Sequence, residues 1–92
     1  MAGLLERRWQ LQVLYAALTG ARRFNEFAEA VPGISPRMLA ERLRDLEAAG
    51  IVFRQVTPHY SPPLVEYRLT PRGEALGPVI DAVREYAAAL EV

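Results

Sequence analysis

Four polar side chains between residues 35 and 44 are spaced for recognition chemistry: Ser35, Arg37, Glu41 and Arg44. On a helix that turns about 100° per residue, Arg37, Glu41 and Arg44 share one face, with Ala48 behind them and Ala40 beside them. A guanidinium is a planar fork of donors that matches the oxygens of a phosphate or the O6/N7 edge of guanine. A glutamate on that face would repel phosphate unless it accepts from a cytosine amino group or holds a neighbouring arginine. The same spacing also suits a solvated face on which Glu41 pairs with Arg37 or Arg44. Ser35 caps the helix that Pro36 opens, and its hydroxyl or the adjacent amides could also meet a phosphate. Catalytic chemistry has no comparable support. His59 is the only histidine and there is no cysteine, which rules out His clusters and thiolate metal sites. Nothing in the sequence would activate Ser35 or Ser61, and no glycine-rich phosphate loop is present. The expectation is no enzyme, no cofactor and no metal.

The elements that must position these residues follow from patterning. Phe24, Phe27, Ala28 and Val31 repeat at three and four, so a short helix covers about 24–30. Pro32-Gly33 breaks it. The next helix buries Leu39, Leu43 and Leu46 and ends at Gly50. That is a helix-turn-helix over about 24–50. Before it, a helix over about 4–18 sets Leu4, Leu11, Leu14, Tyr15 and Leu18 on one face. Trp9, Val13, Ala16 and Ala17 widen its apolar surface, and Gly20 ends it. After it, residues 51–57 and 65–69 read as a hairpin with Val65, Tyr67 and Leu69 inward. The connection carries Pro58, Pro62 and Pro63 and no glycine, so it should be stiff and extended. Thr70-Pro71 repeats the cap-then-proline device and opens a helix over about 71–90. Gly73 and Gly77 weaken its first turns.

The expected fold is mainly α with a small β-hairpin (α+β): a winged helix-turn-helix with a C-terminal dimerisation helix. One domain covers residues 1–92, with the wing at about 51–69 and dimerisation helices at about 4–18 and 71–90. A chain of 92 residues, 51% hydrophobic, buries a modest core, so a second copy of itself would add stability. Net charge is zero, whereas dedicated nucleic-acid binders are usually basic. All 11 Lys-or-Arg positions are arginine, however, and the acidic excess lies beyond Val65, in Glu66, Glu74, Asp81, Glu85 and Glu91. No apolar run approaches the roughly 20 residues of a membrane span, and the start does not read as a signal peptide. A cytoplasmic protein is expected.

In this order and spacing the sequence resembles the HxlR-type winged-helix transcriptional regulators, relatives of the MarR group. The resemblance spans about Trp9 to Pro78. It rests on Trp9, Arg23-Phe24-Asn25-Glu26-Phe27, Pro32-Gly33-Ile34-Ser35, Arg42-Leu43-Arg44-Asp45-Leu46-Glu47, Gly50-Ile51-Val52, Pro62-Pro63, Val65-Glu66-Tyr67, Leu69-Thr70 and Gly73. It implies a homodimer that binds a two-fold-related operator and regulates a nearby promoter. Many family members carry a cysteine near the N-terminus, sometimes used to sense electrophiles; this chain has none. The family also often places a basic residue before Val-Glu-Tyr, where this chain has Leu64. A wing contact to DNA would then fall to His59 or Arg54.

The expected function is sequence-specific binding of double-stranded DNA by a homodimeric transcriptional regulator, a repressor. The helix from Ser35 would enter the major groove and the wing would follow the backbone. Candidate DNA contacts are Arg22, Arg23, Ser35, Arg37, Ala40, Glu41, Arg44, Arg54 and His59. Arg42, at the edge of the buried face, suits an internal ion pair as well as DNA. Candidate dimer contacts are Leu4, Leu5, Trp9, Leu76, Val79, Ile80, Val83, Tyr86 and Leu90. A protein-interaction module without DNA binding is the alternative, favoured by the zero net charge, Glu41 and Leu64. A small apolar effector between the first and last helices is left open, its identity unknown.

Overall fold

The computed structural model describes residues 7–90. Leu4 and Leu5, two of the expected dimer contacts, lie outside the described residues. The element order is α1 (Gln10–Leu18), α2 (Phe24–Ala30), α3 (Pro36–Ala48), β1 (Val52–Thr57), β2 (Leu64–Leu69), α4 (Pro71–Glu74) and α5 (Gly77–Leu90). Three helices enclose one core and a two-stranded antiparallel wing packs against it, pairing Val52 with Leu69 and Thr57 with Leu64.

The core is assembled from residues far apart in sequence. Val13, Leu14, Ala16 and Ala17 of α1 meet Phe27 and Val31 around α2, and Leu39, Leu43 and Leu46 of α3. Ile51, Val52 and Ile80 close it. Tyr67 of β2 stands edge-on to Phe27, ring centroids 6.1 Å apart at 88°, and ties the wing to α2. The amide of Tyr67 donates to the Arg22 carbonyl at 2.7 Å, which anchors β2 to the segment between α1 and α2.

Helix ends follow local chemistry. At the end of α3, Gly50 takes φ 74. Its amide donates to the Glu47 carbonyl and that of Ile51 to the Leu46 carbonyl, the paired closure that a left-handed glycine permits. The end of α1 is built alike. Gly20 at φ 116 donates to Ala17 and Ala21 donates to Ala16.

Two helices depart from the sequence reading. α1 begins at Gln10, because Trp9 adopts a left-handed backbone at φ 76 and residues 7–9 form a turn. The helix expected over 71–90 is divided at Ala75 and Leu76 into α4 and α5. Pro78 is the cause. It has no amide to offer the Glu74 carbonyl, and its ring would collide with that carbonyl in a continuous helix. The break lets Ile80 turn into the core, where it is 3% exposed, while every residue from Asp81 to Leu90 is exposed.

Candidate nucleic-acid interface

The turn between α2 and α3 is built by Pro32 and by Gly33, whose φ of 91 is left-handed. Trp9 Cη2 lies 3.6 Å from where a Gly33 Cβ would stand, so the indole covers the turn from behind. Trp9 is half-buried and packs against the core of its own protomer. Ser35 is the N-cap of α3, its Oγ accepting from the Met38 amide at 3.1 Å. Pro36 occupies the first turn, where a missing amide costs no helix hydrogen bond.

Because Leu39, Leu43 and Leu46 are fully buried, the opposite side of α3 must face outward. Arg37 and Arg44 are exposed there, and Ala40 and Glu41 are half-buried at its flanks. Glu41 pairs with neither Arg37 nor Arg44. Its Oε1 lies 3.4 Å from Nη2 of Arg42, which is almost wholly buried. The Arg42 Nε also lies 3.4 Å from Asp45 Oδ2, and Arg7 approaches that same oxygen at 4.0 Å. Of the two uses open to Arg42, the internal ion pair is the one formed. Its place at the margin of the leucine stripe was the only sequence signal.

The two arginines ahead of α2 differ. The Arg22 guanidinium donates to the carbonyls of Ala17 at 2.9 Å and Ala21 at 2.8 Å, binding the end of α1 to the entry of α2. Arg23 is exposed as the N-cap residue of α2, and no hydrogen bond occupies its side chain among the described residues. Glu26 accepts from the amides of Arg22 at 2.8 Å and Arg23 at 2.9 Å. These backbone bonds, Arg23's first, hold its carboxyl below the ordinary glutamate range. On the wing, Arg54 and His59 are exposed, Tyr60 stands out beside His59, and Leu64 is half-buried. Arg68 pairs with Glu66 at 3.2 Å. Sequence reasoning also missed Arg72, whose Nη1 donates to the Ala49 carbonyl at 3.3 Å and braces the end of α3.

The expected dimer residues separate into two groups. Ile80, 3% exposed, belongs to the core of its own protomer and is not free for a dimer face, whereas Leu76 is half-buried against that core. The helix break at Pro78 turns them inward. Val79, Val83, Tyr86 and Leu90 form an exposed apolar strip along α5, with Tyr86 67% and Leu90 68% exposed. Between α1 and α5 a groove of about 240 Å³ is lined by Leu11, Gln12, Tyr15, Ile80, Val83 and Arg84. Among the described residues no group of His, Cys, Asp and Glu is arranged to hold a metal ion, and no helix is long and apolar enough to cross a membrane.

A capped outward helix held by a turn, with a two-stranded wing beside it, is a winged helix-turn-helix. The chain belongs to the HxlR-like helix-turn-helix family, which it matches over residues 4–91. It is 39% identical over 84 residues to the uncharacterized HTH-type transcriptional regulator YvaP of Bacillus subtilis, covering 91% of this chain and 77% of that protein. It is 43% identical over 84 residues to the HTH-type transcriptional regulator YodB of the same organism, covering 91% and 74%. The redox regulator HypR in its reduced form superimposes with a TM-score of 0.84 at 41% identity, covering 94% of this chain and 84% of that one. These relatives are transcriptional regulators, and the chain stands with them as a regulator of this DNA-binding class.

Proposed function

We propose that the chain is a homodimeric, sequence-specific DNA-binding repressor that acts on a two-fold-related operator. The observation that carries this is α3, capped by Ser35 and presenting Arg37 and Arg44 outward from a fully buried leucine stripe. Lodged in the major groove, Arg37 and Arg44 reach base edges or phosphates, with Ala40 and Glu41 beside them. Phosphate contact falls to Arg23 and the Ser35 end of α3, and wing contact to Arg54 and His59. The Arg22 guanidinium uses Nη1 on carbonyls of its own chain, which leaves Arg23 the freer of the two for phosphate. The α5 strip of Val79, Val83, Tyr86 and Leu90 supplies the dimer face. Two α3 helices then meet half-sites about one turn apart, ~34–36 Å. A cytoplasmic location, where a bacterial chromosome lies, goes with this reading. HypR is described as a redox regulator. With no cysteine in these 92 residues, thiol chemistry cannot be carried across. The groove between α1 and α5 is where a small apolar effector would sit.

Selection of bound sequences from a random duplex library, repeated at two salt concentrations, tests this reading. A two-fold-related motif with a steep salt slope is expected. A second reading, a protein-interaction module, is favoured by Phe53 and Val56, 45% and 46% exposed on the wing. It wins if no motif is enriched and binding does not respond to salt.

A further inference from the structure

The one acidic residue on the reading face of α3, Glu41, pairs with a buried arginine, Arg42, that Asp45 shares. Arg42 is 5% exposed, and an arginine this far from water is costly unless paired. Its two partners are Glu41 and Asp45, both at 3.4 Å. Arg7 sits 4.0 Å from Asp45, so two guanidinium groups face two carboxylates and the cluster is close to neutral. Glu41 differs from Asp45 in where it stands. Its side chain is 44% exposed, against 27% for Asp45, and lies on the flank that also carries Arg37 and Arg44. Arg42 engages one Glu41 oxygen and leaves the other able to accept. An unheld glutamate here would swing among its rotamers and repel phosphates. A glutamate tethered from within stays at the groove edge, with part of its charge already compensated.

Resting on the DNA-binding reading, we infer that Glu41 is a specificity-determining acceptor for a cytosine amino group, with Arg42 its positioning residue. Cytosine N4 is an amino donor with no acceptor of its own base beside it, whereas adenine N6 lies next to the N7 acceptor that repels a carboxylate, and thymine presents a carbonyl in the place of cytosine N4. Glu41 thus selects C·G at one position in each half-site and rejects T·A, while Arg37 and Arg44 supply the attraction. Arg42 never touches DNA. It acts by fixing where the free oxygen of Glu41 points.

The test is selection from a random duplex library with the wild-type chain, Glu41→Ala, Arg42→Lys and the double variant, each checked for folding by circular dichroism. Wild type should demand C·G at one symmetric position, with about tenfold weaker binding when it is replaced by T·A. Glu41→Ala, which has no side-chain acceptor, should lose that preference and keep the rest of the motif. Arg42→Lys should weaken the same preference in the wild-type background and change nothing further in Glu41→Ala. Should Arg42→Lys not fold, Arg42→Gln takes its place in the same cycle. Retention of C·G by Glu41→Ala, or additive effects in the cycle, overturns the inference while leaving DNA binding intact. A wild-type chain that enriches no motif overturns the DNA-binding reading, and this inference with it.

Discussion

The α-carbon of Gly73 lies so close beneath the Ile51 carbonyl that any Cβ at Gly73 would overlap that oxygen. The contact joins the start of α4 to the junction of α3 and β1. Thr70 reinforces it. Its Oγ1 donates to the Gly50 carbonyl at 2.6 Å and accepts from the Gly73 amide at 3.1 Å, and its own amide donates to Ile51 at 3.0 Å. Backbone cannot yield as a flexible side chain can, so Gly73→Ala should destabilise the fold by about 2 kcal/mol or more. Gly77→Ala is the control, because only Leu18 Cδ2 at 3.8 Å faces its added methyl. Urea titration of both variants decides. Equal midpoints would show that the junction can open to admit the methyl.

Glu26 gives the fold a defined acid response. Amides of Arg23 and Arg22 hold its carboxyl below the ordinary range, so its contribution to stability is complete above the unfolded value, about 4.3. It is lost as pH falls through the lower folded value. Wild type should therefore lose stability on acidification more steeply than Glu26→Gln, and the two should converge once Glu26 is protonated in both states. Urea midpoints taken at steps from neutral to strongly acidic pH measure this. Parallel profiles would mean that the Glu26 bonds contribute nothing in solution.

What was legible in the sequence was whatever local chemistry decides. Ser35-Pro36 and Thr70-Pro71 each announce a helix start, and both cap as side-chain acceptors. The apolar spacing of α2 and α3 and the alternation of β2 likewise needed no tertiary knowledge, and together they spell a winged helix. What was not legible depends on docking. No local rule gives a tryptophan a left-handed backbone, yet Trp9 adopts one and its indole covers Gly33. Val79, Ile80 and Val83 read as one stripe, because periodicity cannot say which side of a helix meets its own body. Arg22 and Arg23 are chemically identical, and only the nearby carbonyls of Ala17 and Ala21 separate them.

That division of the last helix can be measured. Ile80 is in the core, so Ile80→Ala should cost about 2–4 kcal/mol in the monomer fold. Val83, 49% exposed, should tolerate Val83→Glu without loss of helix content, yet the charge would be buried in an α5 dimer interface. Sedimentation velocity should then find wild type dimeric and Val83→Glu monomeric, with matching circular dichroism spectra. A Val83→Glu chain that remains dimeric places the interface elsewhere.

The arginines of the candidate DNA surface should fail in three different ways. Arg37→Ala removes a base-edge interaction from the outward face of α3, so preference at one position should relax by ~1–3 kcal/mol. Arg23→Ala leaves a phosphate without its cation. It should weaken all sequences alike and shallow the salt slope by about 0.9 for each phosphate no longer neutralised. Arg22→Ala should leave the slope alone and lower the melting temperature, because its guanidinium bonds carbonyls at the end of α1. Fluorescence anisotropy on a selected duplex and on a scrambled one, each across a salt series, separates the three. Docking of α3 in the groove is wrong if Arg37→Ala changes neither affinity nor preference. A salt slope reduced by Arg22→Ala would mean that this guanidinium leaves its internal carbonyls when DNA arrives.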